Sequence, residues 1–220
     1  MSIANKHSYL NEMTDILGRH YPDNRTVNIV CHGHSVPAGY FATPMVDTFN
    51  AYPHLLHVGL REHFPFAVIN IIVTAIGGDN SQSGAARFLD EVLCHRPDVI
   101  TIDYGLNDRG IGLEQAHAGW SRMIKAGLKS GAKIILLTPT VDRTQAPTYT
   151  GDDKSALGDH ANQIRLLADQ YGVGLVDSFA MGKEHVAQND LSDLLSPSDH
   201  PTRAGHELVA RDLLRWFSAR

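Results

Sequence analysis

Five short stretches of this chain are almost continuously apolar and rich in β-branched residues: 27–31, 67–73, 99–104, 133–138 and 173–177. None alternates apolar with polar, as a half-exposed strand does. Runs of this kind belong to strands covered on both faces. Between them the period changes. In 155–171, Leu157, Ala161, Ile164, Leu167, Ala168 and Tyr171 share one helical face, and Ser155 stands where an N-cap belongs. Segments 82–95 and 113–130 read as helices too. Residues 206–219 form a closing helix with Leu208, Val209, Leu213, Trp216 and Phe217 inward, and 9–20 forms one before the first strand. Strand and helix alternate. That order predicts an α/β protein with a parallel sheet and helices on both faces, because each right-handed crossover must bury its own apolar stripe.

No linker, repeat or low-complexity tract interrupts the pattern, so residues 1–220 are expected to form one domain, with 1–25 as a helical extension packed on it. The longest irregular piece, 141–154, follows the carboxyl end of a strand, where active-site loops gather. Net charge is −5 with no basic stripe, which argues against nucleic acid and anionic membrane surfaces as partners. No apolar run approaches the ~20 residues that span a bilayer. Residues 1–24 interleave Lys6, Glu12, Asp15 and Arg19 with apolar positions, unlike a secretory signal, so a cytoplasmic location is expected. Cys31 and Cys94 read as two reduced thiols.

Four segments can carry chemistry. The first apolar run stops at Gly33-His34-Ser35, so Ser35 is exposed at the carboxyl edge of a buried strand, either as a nucleophile or as a turn serine. Gly77-Gly78-Asp79-Asn80 follows the second run, either as backbone oxyanion donors or as an ordinary turn. Gly105-Leu106-Asn107-Asp108 follows the third; the Asn107 amide either donates to a developing oxyanion or caps a turn. Asp199-His200-Pro201 enters the last helix, with His200 either facing the strand ends or facing solvent.

Taken together, Gly-His-Ser at Ser35, Gly-Gly-Asp-Asn at Gly78, Gly-Leu-Asn-Asp at Asn107 and Asp-His-Pro-x-x-x-Gly-His at His200 resemble, in order and spacing, the SGNH or GDSL-type hydrolases. The resemblance covers the chain from Val27 to the last helix. It implies a three-layer α/β/α sandwich whose five parallel strands lie in flavodoxin-like order. It also implies that Ser35 is the nucleophile and His200 its base. By the same resemblance the Ser35 and Gly78 N–H groups and the Asn107 side chain hold the oxyanion.

Two positions depart from the pattern. The family has Gly-Asp-Ser where this chain has Gly-His-Ser. His34 is expected to be a packed, non-catalytic residue whose side chain points away from Ser35. The family's acid stands three residues before its histidine, and here that position is Pro197. Either a backbone carbonyl within 196–198 orients His200, or a carboxylate does, Asp199 first and Asp193 second. The reading is a serine esterase for a short, acetyl-like acyl group, acting on a small-molecule ester without cofactor or metal; it is compatible with a homo-oligomer. Two rivals stand beside it. Thirteen histidines, among them His32, His34, His200 and His206, suggest a metal-dependent hydrolase, though no metal-ligand motif is present. Gly77-Gly78 after a strand also suits a non-catalytic flavodoxin-like binding module.

Overall fold

A computed structural model describes residues 2–153, 155–197 and 199–217. In chain order its main elements are α1 (Asn11–Leu17), β1 (Thr26–Gly33), α2 (Ser35–Ala38), α3 (Tyr52–His63), β2 (Val68–Val73), α4 (Ser81–Glu91), β3 (Val99–Asp103), α5 (Gly112–Lys129), β4 (Lys133–Leu137), α6 (Ala156–Tyr171), β5 (Gly174–Val176), α7 (Ser178–Val186) and α8 (Arg203–Leu214). The strands are all parallel in the order β2-β1-β3-β4-β5, the flavodoxin-like order that was expected. From β1 the chain crosses over to β2 on one side; β3 then enters on the other. The crevice outside the carboxyl ends of β1 and β3 is therefore the fold's natural ligand site.

The continuous apolar runs are explained by two cores, one on each face of the sheet. Val27, Ile29 and Cys31 of β1 join Val99, Ile135 and Leu137 on one face, against residues of α1, α3 and α8. Val30, Ile100, Ile102, Ile134 and Leu136 point the other way, against α4, α5 and part of α6. Successive strand residues alternate between faces, so a strand covered on both sides is apolar at every position.

Several sequence expectations shift. β1 runs through Gly33, paired with Asp103 of β3, so the turn begins at His34 and not at the glycine. The last helix starts at Arg203, because Thr202 accepts the Gly205 N–H as an N-cap; it ends in a 3-10 turn, Arg215–Phe217, and residues 218 and 219 of the expected helix lie outside the described residues. Ser155 makes no side-chain cap bond, since its own backbone is already helical. The helix α3 was not expected. Its apolar face, Tyr52, Leu56 and Leu60, is buried against α8, and a Cβ on Gly59 would collide with Leu214. In the N-terminal segment, Ala4 N–H donates to the Val173 carbonyl (3.1 Å), Lys6 pairs with Asp212 (2.8 Å), and the Tyr9 ring meets Trp216 edge-on at 5.9 Å.

Two buried histidines are built into this frame in the neutral state. His206 Nδ1 accepts the Tyr52 N–H at the start of α3 (3.2 Å), and His32 joins Thr74 to Tyr104 under the sheet edge. Burial pushes both down to about 4, with Arg87 adding to the effect at His32 and His200 at His206. The unfolded chain protonates both near 6.5, so between pH 6.5 and 4 it binds protons that the native state does not. Stability is complete above 6.5 and should fall as the pH drops, by about 1.4 kcal/mol per pH unit for each histidine. Urea unfolding at pH 7, 6 and 5 checks this; His32→Gln should remove close to one proton from the slope.

Candidate active site

The carboxyl edge of β1 is shaped by one glycine. A Cβ at Gly33 would strike the Asp103 carbonyl and the Pro37 ring, so the turn into α2 closes only with glycine there. α2 is a single turn capped by His34, whose Nδ1 accepts the Val36 N–H (3.3 Å). Ser35 is the first residue of that turn and, contrary to the exposure expected at the strand edge, is buried, because α2 and the segment before α8 close over it. Its Oγ lies 2.9 Å from His200 Nε2. His200 reaches it from the segment before α8, held by the bridge between Leu195 and Pro201 and by the Ser196 N–H on the His200 carbonyl (2.8 Å). The Tyr40 ring packs 5.8 Å from the His200 ring, and a Cβ on Gly77 would meet that same tyrosine. Tyr40 thus spans two of the four segments, a role nothing in its sequence context announces.

His200 is held below the ordinary imidazole range by partial burial and by the nearby His34; a hydrogen bond to the Phe41 backbone and the charge of Asp199 act the other way. A backbone bond that raises a histidine is one in which a carbonyl accepts its N–H. Phe41 was not among the expected acceptors at 196–198. Ser196 contributes indirectly, donating its hydroxyl to the Phe41 carbonyl (3.1 Å), and Ser198 lies outside the described residues.

Neither aspartate expected near His200 turns its carboxylate to the ring. Asp199, at φ 61°, pairs with Arg143 (3.0 Å) and affects His200 only as a charge at a distance. Asp193 pairs with His185 (3.0 Å). Adjacent side chains diverge at the turn into Pro201, and Arg143 from the 141–153 loop takes up the nearer carboxylate. The expectation for His34 also needs correction. Its ring does not turn away from Ser35: Nδ1 lies 3.3 Å from Ser35 Oγ. As the N-cap of α2 it must fold back over the first turn, which is where Ser35 sits.

The glycine and asparagine segments are joined to each other. Asn107 Nδ2 donates to the Asp79 carbonyl (2.8 Å), which uses one amide N–H and orients the other. The neighbouring Asp108 is fully buried and accepts from the Ser81 N–H (2.7 Å) and the Trp120 indole (2.6 Å). Burial raises this carboxyl, and those hydrogen bonds oppose the rise. Gly78 has φ +82°, with open space where a Cβ would stand, so its N–H can be approached closely. Asn80 caps α4 in a reciprocal box with Ser83. Arg87, on α4, binds the Thr74 carbonyl, the Gly33 carbonyl, the Tyr104 hydroxyl and the Asp79 carboxylate. The histidines raised as metal ligands are otherwise engaged. His32 Nδ1 faces Thr74, and its Nε2 faces Gly84 and Tyr104. Among the described residues, no three His, Cys, Asp or Glu side chains converge on a common point.

Residues 31–208 match the model of the GDSL-like lipase/acylhydrolase family. The chain belongs to this family. An arylesterase from Vibrio mimicus is 29% identical over 140 residues, a match covering 61% of this chain and 66% of that relative, just under two thirds of its length. The fold is shared with an acetylxylan esterase from Geobacillus stearothermophilus, at 19% identity, a TM-score of 0.76 and coverage of 88% of this chain and 95% of that one. It is shared equally with an α/β hydrolase from the metagenome of Lake Arreo, Spain, at 19% identity, a TM-score of 0.74 and coverage of 87% and 94%. Catalytic mutants of the acetylxylan esterase replace a serine, a histidine and an aspartate, the last two standing three positions apart. In this member of the family, Pro197 stands three positions before His200.

Asp199→Asn and Asp193→Asn should each lower ester turnover by less than ~10-fold, against the ~10⁴-fold loss that follows removal of a triad acid. Steady-state kinetics on the two variants decide this, and a 10⁴-fold fall in either would identify the missing acid.

Proposed function

We propose that the protein is a serine carboxylic-ester hydrolase acting on short, acetyl-like acyl groups. The observation that carries the reading is the 2.9 Å approach of His200 Nε2 to Ser35 Oγ at the carboxyl edge of the sheet. In this reading the hydroxyl proton passes to Nε2 as Oγ attacks the ester carbonyl carbon. The tetrahedral oxyanion is held by the Ser35 and Gly78 N–H groups and the second N–H of Asn107, at about 3–4 kcal/mol for a donor of this kind. The imidazolium returns its proton to the departing alcohol. Water then enters by the same route, giving up its proton to His200, which passes it to Ser35 Oγ as the acid leaves.

The backbone acceptor at Phe41 is neutral and stabilises imidazolium less than a carboxylate does. Burial and the nearby His34 outweigh it, so His200 is a weak base that stays unprotonated, and competent, to lower pH than an ordinary histidine. A short acyl group is supported by the activities named for the relatives, an arylesterase and an acetylxylan esterase.

Ser35→Ala should cost on the order of 10⁴–10⁶ in turnover of a p-nitrophenyl ester while leaving the unfolding transition intact. Retention of a tenth of wild-type activity would end the serine mechanism. Asn107→Ala should lower kcat ~10²–10³-fold with little change in KM, because its donor acts on charge that exists only in the transition state. A variant altered in KM alone would make Asn107 a ground-state binder. The acid limb of kcat/KM, which reports the free enzyme, should lie below pH 6.5, since burial and His34 depress His200. A limb at or above 6.5 would contradict that environment.

A further inference from the structure

The surroundings of His34 say more than its cap role requires. Its Nδ1 accepts the Val36 N–H and lies 3.3 Å from Ser35 Oγ. A ring nitrogen that accepts carries no proton, so neutral His34 holds its proton on Nε2. That Nε2 is buried and, among the described residues, has no hydrogen-bond partner within ordinary distance. The acceptor it faces is Asp103 Oδ1 at 3.5 Å. Asp103 closes β3 with its carboxylate almost fully buried, and a buried carboxylate requires a donor. The backbone holds the two residues together, His34 N–H donating to the Asp103 carbonyl (3.2 Å).

The other groups around the pair come from three sides. Cys31 on β1 is a buried, neutral thiol, pushed up to about 12 mainly by burial, with the charge of Asp103 adding to the rise. Tyr52 on α3 is a buried, neutral phenol, raised by burial and by the charge of Asp103. The Tyr104 ring lies 6.5 Å from the His34 ring, and His200 stands across Ser35. Of these, the His34 N–H is the donor that links Asp103 to the nucleophile's turn.

We propose that Asp103 and His34 form a positioning pair for Ser35, with the carboxylate acting through the imidazole on the turn that carries the hydroxyl. The inference rests on Ser35 being the nucleophile. The carboxylate polarises the ring and makes Nδ1 a stronger acceptor for the Val36 N–H, which pins the first turn of α2. Because that N–H occupies the one lone pair of Nδ1, the Ser35 hydroxyl proton is left to His200. No proton passes to His34 in the reaction. The carboxylate missing behind the base, where Pro197 stands, is thus found behind the nucleophile.

The test compares the wild type with His34→Asn, Asp103→Asn and the double variant. Two quantities are read on natively folded protein: ester kcat and KM, and the rate at which a fluorophosphonate labels Ser35, located by mass spectrometry. Each single change should lower kcat and the labelling rate about 10- to 100-fold with KM within about twofold, the size expected when a reacting group is mispositioned. The double variant should be no worse than the poorer single, since the two residues act as one device. A single variant at the wild-type rate, or losses that multiply, would overturn the pair. Failure of the wild type itself to label at Ser35 would instead overturn the esterase reading. Imidazole ¹⁵N NMR of the wild type needs no variant to fold: His34 should be the Nε2–H tautomer at pH 7, and an Nδ1–H form or an imidazolium would sink the proposal.

Discussion

The site depends on the guanidinium of Arg87. Four pieces of chain end at the carboxyl edge of the sheet, and each leaves backbone groups that no strand partner satisfies. One planar fork reaches the carbonyls of Thr74 and Gly33, the hydroxyl of Tyr104 and the carboxylate of Asp79, with Glu91 on its outer side. A point charge such as lysine could not serve these directions at once. With Arg87 in place, the ends of β1 and β3 and the turn after β2 are fixed relative to one another. The segments with Ser35, Gly78 and Asn107 are mounted on those three ends.

From that fixed edge the rest follows by local bonds. Asp108 presents its carboxylate to the Ser81 N–H at the start of α4, where an anion is favoured, and so locks the asparagine segment to the glycine segment. Asn107 adds a second tie through the Asp79 carbonyl. Tyr40 fills the gap between Gly77 and His200 and brings the fourth segment against the second. The oxyanion donors of the proposed mechanism are thus held before substrate arrives, as electrostatic stabilisation requires.

The charge pattern around Ser35 is unusual in its placement. His200 has the Phe41 carbonyl on its far side, while the nearest aspartate is drawn off by Arg143. The buried Asp103 instead lies behind His34. In the proposed mechanism this arrangement keeps the base weak and the turn that carries Ser35 rigid, a different division of labour from a carboxylate placed on the base.

The apolar runs alone determined that the chain forms five strands with helices between them; four are buried, because a strand covered on both faces is apolar at every position, whereas β2 at the sheet edge leaves Val68, Asn70 and Val73 exposed despite its apolar run. They also put Ser35, Gly78 and Asn107 at strand ends, since each follows such a run directly. The helix α3 is poorly marked in the sequence because His54, His57 and Gly59 interrupt its stripe, although Pro53 at its first turn and Leu56 and Leu60 one turn apart are legible signals. Other features could not be read at all. Asp103 looks like the polar end of a strand until the register sets it beside Gly33, and Arg87 looks like a surface helix residue until the turns close around it. Which carbonyl faces His200, and which cation claims Asp199, depends on loops more than fifty residues distant in sequence. Local pattern determines which elements form and where they end; partners that meet only when those ends converge are decided by the tertiary structure.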